Sequence, residues 1–357
     1  MKWFYLPIWV FFSFCIFYKM TIVRYKKVQC DYFNKCYTGR IKGVLALIIL
    51  LDHIAALIPV QGDIVFDFFH AIGFLAVAMF FFFSGYSVEK QKIERDDYLN
   101  KKFILKKIVS IIIPLYLVNM LYVLGEILVK PWNIDLSNWR KVLAYIFDIT
   151  GHFVINVPTW YVRSLFLLLV VYWTIHKIIK KQNYVNVAMF IVILIITLYK
   201  ALSWENGTGQ EWGMLFCFLI GNIWAQNEER ILSLINKKYF ITLIVSGIST
   251  ICFCGLFLFN YDNLFGKLFM RNLGTGSFVV LLTLLLMTIR IENKFCDLLG
   301  KISLEIYLMH SLVIGFAIKF LEVEWIKVYG VLIASILVAY IIHIILSRLV
   351  KFIYSYI

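Results

Sequence analysis

Charge is scarce in this chain and unevenly signed: Asp, Glu, Lys and Arg make up only 16% of 357 residues, with 35 basic against 21 acidic. No stretch is polar enough to form a soluble domain, the widest gap between apolar runs being 19–42. Phosphate-binding glycine loops, dinucleotide fingerprints and His-Glu-x-x-His zinc motifs are all absent, which removes the chemistries those motifs carry. Also missing is the inverted pair of broken helices that marks many secondary transporters. Cysteine is odd in number at seven. Cys15, Cys217, Cys252 and Cys254 lie in apolar runs, where cysteine behaves as a small hydrophobe. Cys30 and Cys36 stand in a basic loop without ligand-spaced partners and read as free thiols in a reducing compartment.

What is present is apolar. Hydrophobic residues reach 62% and aromatic ones 18%, for a mean hydropathy of +0.84. A soluble domain is about half apolar, and a helix needs about 20 apolar residues to cross a bilayer. Such runs recur at 41–59, 68–88, 107–128, 160–178, 184–201, 211–226, 239–259, 272–290, 302–321 and 326–348. The spacing predicts an all-α, polytopic membrane bundle of about ten core helices. An N-terminal apolar segment, Trp3 to Tyr18, precedes them; it lacks a small-residue cleavage site and is expected to be retained. The stretch 139–156 mixes helical periodicity with Asp148, His152 and Asn156, which predicts an outer-face amphipathic or re-entrant helix. The expected divisions are 1–39 (apolar segment and basic loop), 40–350 (membrane core) and 351–357 (tail).

The net charge of +14 is not a nucleic-acid footprint. Lys and Arg concentrate in loops 19–42, 89–107, 176–181, 226–238 and 290–301 and beyond Ser347, the positive-inside pattern that places these loops in the cytoplasm.

Ionisable groups at membrane depth are costly and are read as functional by default. Asp52 and His53 interrupt the apolar run of the first core helix. Lys42 precedes His53 by eleven residues, about three turns and about 16 Å on one helix face. Asp52 projects about 100° away round the helix, so it does not orient the His53 ring directly. The bland alternative for His53 is a histidine bonded across helices. Trp160, Tyr161 and Arg163 sit at the outer end of a later span, where aromatic residues also serve as interface anchors and Arg163 either points inward or snorkels outward. Glu305 and His310 fall within another span, and structural packing is the alternative for His310. Ser84 and Gly85 form a small pair suited to close helix approach, and Pro114 is expected to kink its helix. His70, His152, His176 and His343 lie near helix ends or loops and receive no role.

Taken in order, these stretches resemble the acyltransferase-3 family of bacterial integral membrane acyltransferases. The resemblance rests on Lys42-Gly43 with His53 at matching spacing and on Phe81 to Tyr86 as the Ser-Gly-aromatic element. Further along stand Lys101, Lys102, Lys106 and Lys107 before Pro114 and Tyr116, then Trp160 to Arg163, then Ser303, Tyr307, Leu308 and His310. It spans 40–350. Where many members carry an Arg-x-x-Arg before the proline, this chain has lysines further upstream, point charges rather than bidentate forks. The extracytoplasmic hydrolase-like domain of some members is not expected here, so the core or a separate protein completes transfer.

The resemblance implies transfer of an acyl group, usually acetyl, from cytoplasmic acyl-CoA to a hydroxyl of a surface carbohydrate, in a bacterial cell membrane. It implies no bound cofactor or metal, with acyl-CoA as co-substrate. His53 would be the general base, with Asp52 the second candidate catalytic residue. Lys42, Lys102, Lys106 and Lys107 would attract the donor phosphates. Trp160, Tyr161 and Arg163 would hold the acceptor, with Ser84, Glu305 and His310 as further intramembrane polar groups. A polysaccharide transporter or flippase fits many helices and a basic inner face equally well, and a sensory or scaffold role leaves the histidines structural. An enzyme must leave an ester on its product, whereas a flippase leaves the acceptor unmodified.

The charge pattern makes a topological prediction. A fluorescent reporter fused after residue 357 is expected to be active, and alkaline phosphatase fused there inactive. Insertions within 130–138 should give the reverse.

Overall fold

The computed structural model describes residues 3–22, 32–58, 60, 62–148, 152–203, 212–258 and 264–357. Arg24, Lys26, Lys27 and Cys30 of the first basic loop lie outside the described residues. The chain begins with α1 (Leu6–Phe17), α2 (Lys35–Leu57) and α3 (Ile64–Glu94). Asn34 and Asp63 cap α2 and α3, each side chain accepting a first-turn amide hydrogen that the helix itself cannot satisfy. Next come α4 (Lys102–Lys107) and α5 (Ile113–Val129), joined by a single π-turn at Ile108–Ile112. Pro114 has no N–H and its ring crowds the preceding turn, so the widened turn just before it is where the helix absorbs the proline.

The remaining helices are α6 (Trp139–Phe147), α7 (Trp160–Ile178), α8 (Gln182–Ser203), α9 (Phe216–Gln226), α10 (Glu228–Leu258), α11 (Leu264–Thr288), α12 (Lys294–Lys301), α13 (Ser303–Phe320) and α14 (Glu324–Tyr354). α10 breaks at Lys238, where φ of −136° leaves the helical region, and separates a basic-end stretch from the span that follows it.

Eight described helices are long and apolar enough to cross a membrane. The protein is thus a multi-pass helix bundle, as the apolar runs predict. Two expected spans differ. α2 is long enough but carries Arg40, Lys42 and Asp52 through its apolar part. α9 has 11 residues, about 16 Å of rise against a hydrocarbon core of about 30 Å. It is nevertheless deeply packed, with Phe218, Gly221, Asn222 and Trp224 buried against α3.

That packing is possible because glycine faces backbone on both sides. A Cβ at Gly85 would overlap the Phe218 carbonyl, and one at Gly221 would overlap the Phe82 carbonyl. Asn222 adds a hydrogen bond from Nδ2 to the Gly85 carbonyl oxygen at 2.8 Å. Close backbone approach through small residues is the main means of helix association in lipid, where apolar burial alone gives no preference for another helix.

Two elements were not anticipated from the sequence. β1 (Met20–Ile22) pairs antiparallel with β2 (Ile289–Ile291), a two-stranded ladder that ties the N-terminal segment to the basic end. α12 occupies 294–301, read from sequence as loop, and crosses α2 where Gly43 meets the Cys296 carbonyl. α1 buries Ile8, Phe12 and Cys15, and Tyr5 just before it is buried too, with Tyr5 and Phe12 edge-on to Phe66 and Phe69 of α3. Among the described residues of the 139–156 stretch the regular helix is α6, whose Trp139, Leu143 and Phe147 are exposed.

Gly85→Val and Gly221→Val are each expected to destabilise the protein by about 1–3 kcal/mol through overpacking. Gly255→Ala, with nothing within 4 Å of the added Cβ, should leave stability unchanged. Thermal unfolding of the detergent-solubilised protein reads both.

Candidate functional site

α2 and α13 bring two histidines from opposite ends of the sequence into contact. The rings of His53 and His310 meet edge to face with centroids 4.6 Å apart. His53 Nδ1 lies 2.9 Å from the Ile49 carbonyl oxygen, and His310 Nδ1 lies 3.0 Å from the Ile306 carbonyl oxygen. A carbonyl only accepts, so each Nδ1 carries a proton, and a ring with no second proton presents Nε2 as a lone pair. Nε2 of His310 is buried and has no hydrogen-bond partner among the described residues. The His53 side chain keeps 24% of its surface exposed. The pair is therefore a dry acceptor beside a partly open one.

The turn that carries His310 is held from three sides. The Tyr122 hydroxyl of α5 donates to the Leu308 carbonyl oxygen at 3.1 Å and accepts from the Leu312 amide at 2.8 Å. Asn156 Nδ2 also donates to the Leu308 carbonyl at 2.9 Å. Tyr307 donates its hydroxyl to the Pro158 carbonyl, so the 156–159 segment that starts α7 is fastened to α13. Behind Tyr122, Trp132 stacks at 5.3 Å with rings 13° from parallel. The buried Glu126 carboxylate accepts the Trp132 and Ile134 amides at 3.1 and 2.6 Å.

Aromatic contacts extend the site toward α3 and α7. Tyr161 lies 5.4 Å from Tyr307 and 4.8 Å from Phe81, ring to ring, and Trp160 lies 6.3 Å from Phe81. Ser84 donates to the Phe80 carbonyl at 2.8 Å, one turn from Phe81. Arg163 is half-buried one turn along α7 from Trp160. Glu305, although on α13, faces α14: His343 Nδ1 lies 2.9 Å from one carboxylate oxygen, and the other oxygen is buried without a partner among the described residues. Asp52 Oδ2 stands 3.9 Å from His53 Nδ1, beyond hydrogen-bond length, while Oδ1 bonds His70 Nδ1 at 2.8 Å.

At the basic end the expected lysines separate into two groups. Lys42 is half-buried with its ammonium 5.8 Å from the Phe83 ring centroid, and Lys107 is its electrostatic neighbour. Lys107 also lies 5.3 Å from the Phe103 centroid and donates to Tyr98 at 3.4 Å. Lys106 and Lys107 line a cavity of about 490 Å³ with Arg95, Tyr98 and Tyr354. Burial pushes the Tyr98 phenol, in the α3–α4 loop, up to about 12, so it stays protonated and able to donate. Lys102 is exposed and instead donates to the backbone oxygen of Ile357.

The structure thus gathers His53, His310, Tyr161, Trp160 and Ser84 through four helices, with Lys42 and Lys107 toward the basic end. Sequence reading treated His53 and His310 as separate sites and passed over Tyr122, Asn156 and His70. Tyr122 and Asn156 did carry a signal, as polar groups inside or beside apolar runs.

A membrane helix bundle with a titratable pair in its interior and a cationic cavity at one end has the parts of a membrane-embedded enzyme. Residues 40–344 match the family Acyl_transf_3, described as an acyltransferase domain. The chain belongs to this family and is a membrane acyltransferase. Comparison with curated proteins and with solved structures gives no match.

Tyr122→Phe removes the hydroxyl that bridges Leu308 and Leu312. It is expected to cost about 0.5–1.5 kcal/mol of stability, the net worth of a buried hydrogen bond. Thermal unfolding checks this against Tyr145→Phe, a half-buried tyrosine of α6.

Proposed function

We propose that the protein is an O-acyltransferase of a bacterial cell membrane. It moves an acyl group, acetyl in the first instance, from cytoplasmic acyl-CoA to a hydroxyl of a surface polysaccharide or glycoconjugate. The observation that carries the reading is the convergence of His53 and His310 with both Nδ1 atoms committed to backbone carbonyls. That arrangement leaves Nε2 as the atom that takes a proton, the requirement for a general base.

In this reading the acceptor hydroxyl gives its proton to His53 Nε2 as its oxygen attacks the thioester carbonyl. The C–O bond forms, the C–S bond breaks, and the thiolate of CoA leaves with the proton returned from His53. No net proton is gained or lost. His310, adjacent and dry, offers its Nε2 lone pair to a second hydroxyl of the acceptor and so orients it. Lys42, Lys106 and Lys107 attract the donor phosphates, with Lys102 outside the cavity as a weaker long-range contributor. Trp160 and Tyr161 offer aromatic faces to a sugar, and Arg163 a hydrogen-bonding fork. The core is proposed to be the 40–350 unit.

The test is the ester-linked acyl content of surface polysaccharide in a deletion strain. Complementation with the wild type is expected to restore a specific O-acyl group. His53→Ala and His310→Ala are expected to lower it by about 100-fold or more, the scale of general-base catalysis. Unchanged acylation in the deletion strain, with polymer missing from the surface, would overturn the reading in favour of transport.

A further inference from the structure

We propose that His70 and Gly73 of α3 are positioning residues that clamp the Asp52 carboxylate beside His53; this rests on the reading of His53 as the general base. Asp52 and His53 are sequence neighbours and diverge round α2, so Asp52 cannot grip the His53 ring as a hydrogen-bonded partner. The Nδ1 proton of His53 is in any case committed to the Ile49 carbonyl oxygen at 2.9 Å. Asp52 acts instead as a fixed negative charge, with Oδ2 3.9 Å from Nδ1. When His53 takes the acceptor proton it becomes an imidazolium, and a carboxylate held at that distance stabilises the charge that develops.

Two features of α3 hold the carboxylate there. His70 donates Nδ1–H to Oδ1 at 2.8 Å. Gly73, three residues on and on the same face of α3, leaves the space that Oδ2 occupies, since a Cβ at Gly73 would collide with Oδ2 and Cγ of Asp52. One oxygen is bound and the other is left in a notch toward His53. A plain helix-to-helix staple would need the first contact but not the second. The charged and titratable groups around the clamp are Asp67 on α3, His53 on α2 and His310 on α13. The His70 side chain is 62% exposed, so its substitution leaves no buried void.

The full chain in lipid nanodiscs, assayed for thiol release from acetyl-CoA with polysaccharide extract of the host as acceptor, tests the clamp. His70→Ala and Gly73→Ala are each expected to lower kcat about ten- to a hundred-fold with KM for acetyl-CoA changed by no more than about two-fold, the pattern of a misplaced transition-state group. His70→Asn, which keeps an N–H donor at the position of Nδ1, should recover kcat to within about three-fold of wild type. Asp52→Asn combined with His70→Ala should be no slower than Asp52→Asn alone, because both act through one carboxylate. Thermal unfolding separates misfolding from loss of rate, and the His70→Asn comparison decides the matter should His70→Ala prove unstable. Wild-type kcat in His70→Ala beside an inactive His53→Ala overturns the clamp alone, as does equal damage from His70→Ala and His70→Asn. An active His53→Ala overturns the general-base reading on which the clamp stands.

Discussion

The hydroxyl of Tyr122 is the contact on which the rest of the site depends. It braces the α13 helix, donating to the Leu308 carbonyl oxygen and accepting from the Leu312 amide. An unsatisfied backbone group costs several kcal/mol in a membrane interior, so the tyrosine and this turn of α13 constrain each other. His310 lies between those two residues. Its ring position, and hence its contact with His53, follows from where Tyr122 stands. Tyr122 is in turn set by Trp132, whose loop is gathered onto the Glu126 carboxylate.

The same economy of polar groups appears at the basic end, in two carboxylates, one partly and one fully buried, that each collect several donors. Glu228 accepts from Tyr32 at 2.7 Å, Tyr86 at 2.8 Å and Lys90 at 2.6 Å. Glu89, almost fully buried, accepts from Tyr172 at 2.7 Å and Lys92 at 3.0 Å. A buried charge persists only when it is paired and bonded. These clusters join α3 to α7 and α10 beside their apolar contacts, while Lys106 and Lys107 line the basic-end cavity and Lys42 lies against the Phe83 ring.

Much of the fold was legible in advance. Apolar runs near the bilayer thickness mark α3, α5, α7, α8, α11, α13 and α14, because hydrocarbon admits few other solutions for a single chain. The short α9 was harder to read, since its stability comes from glycine-to-backbone contact with α3 and not from its own length. The strand pairing of 20–22 with 289–291 left no local pattern, being too short for periodicity and made across most of the chain. Of the site, His53, His310, Tyr161 and Lys107 were visible one by one as polar or basic residues in apolar surroundings. That they form one constellation was not, and neither was the tie between Asp52 and His70.

By itself the sequence determined that the chain lives in a bilayer, which ends bear the basic loops, and which polar residues sit at membrane depth. These are properties of composition along a line, fixed by the cost of moving charge and peptide groups into hydrocarbon. Only the tertiary structure decided which helices touch. The meeting of His53 with His310 joins residues 257 positions apart by subtraction of their numbers, and the bond of Asp52 to His70 joins separate helices. Both depend on helix rotation and crossing geometry, which arise from glycine notches and single inserted hydroxyls and leave no periodic trace in the sequence.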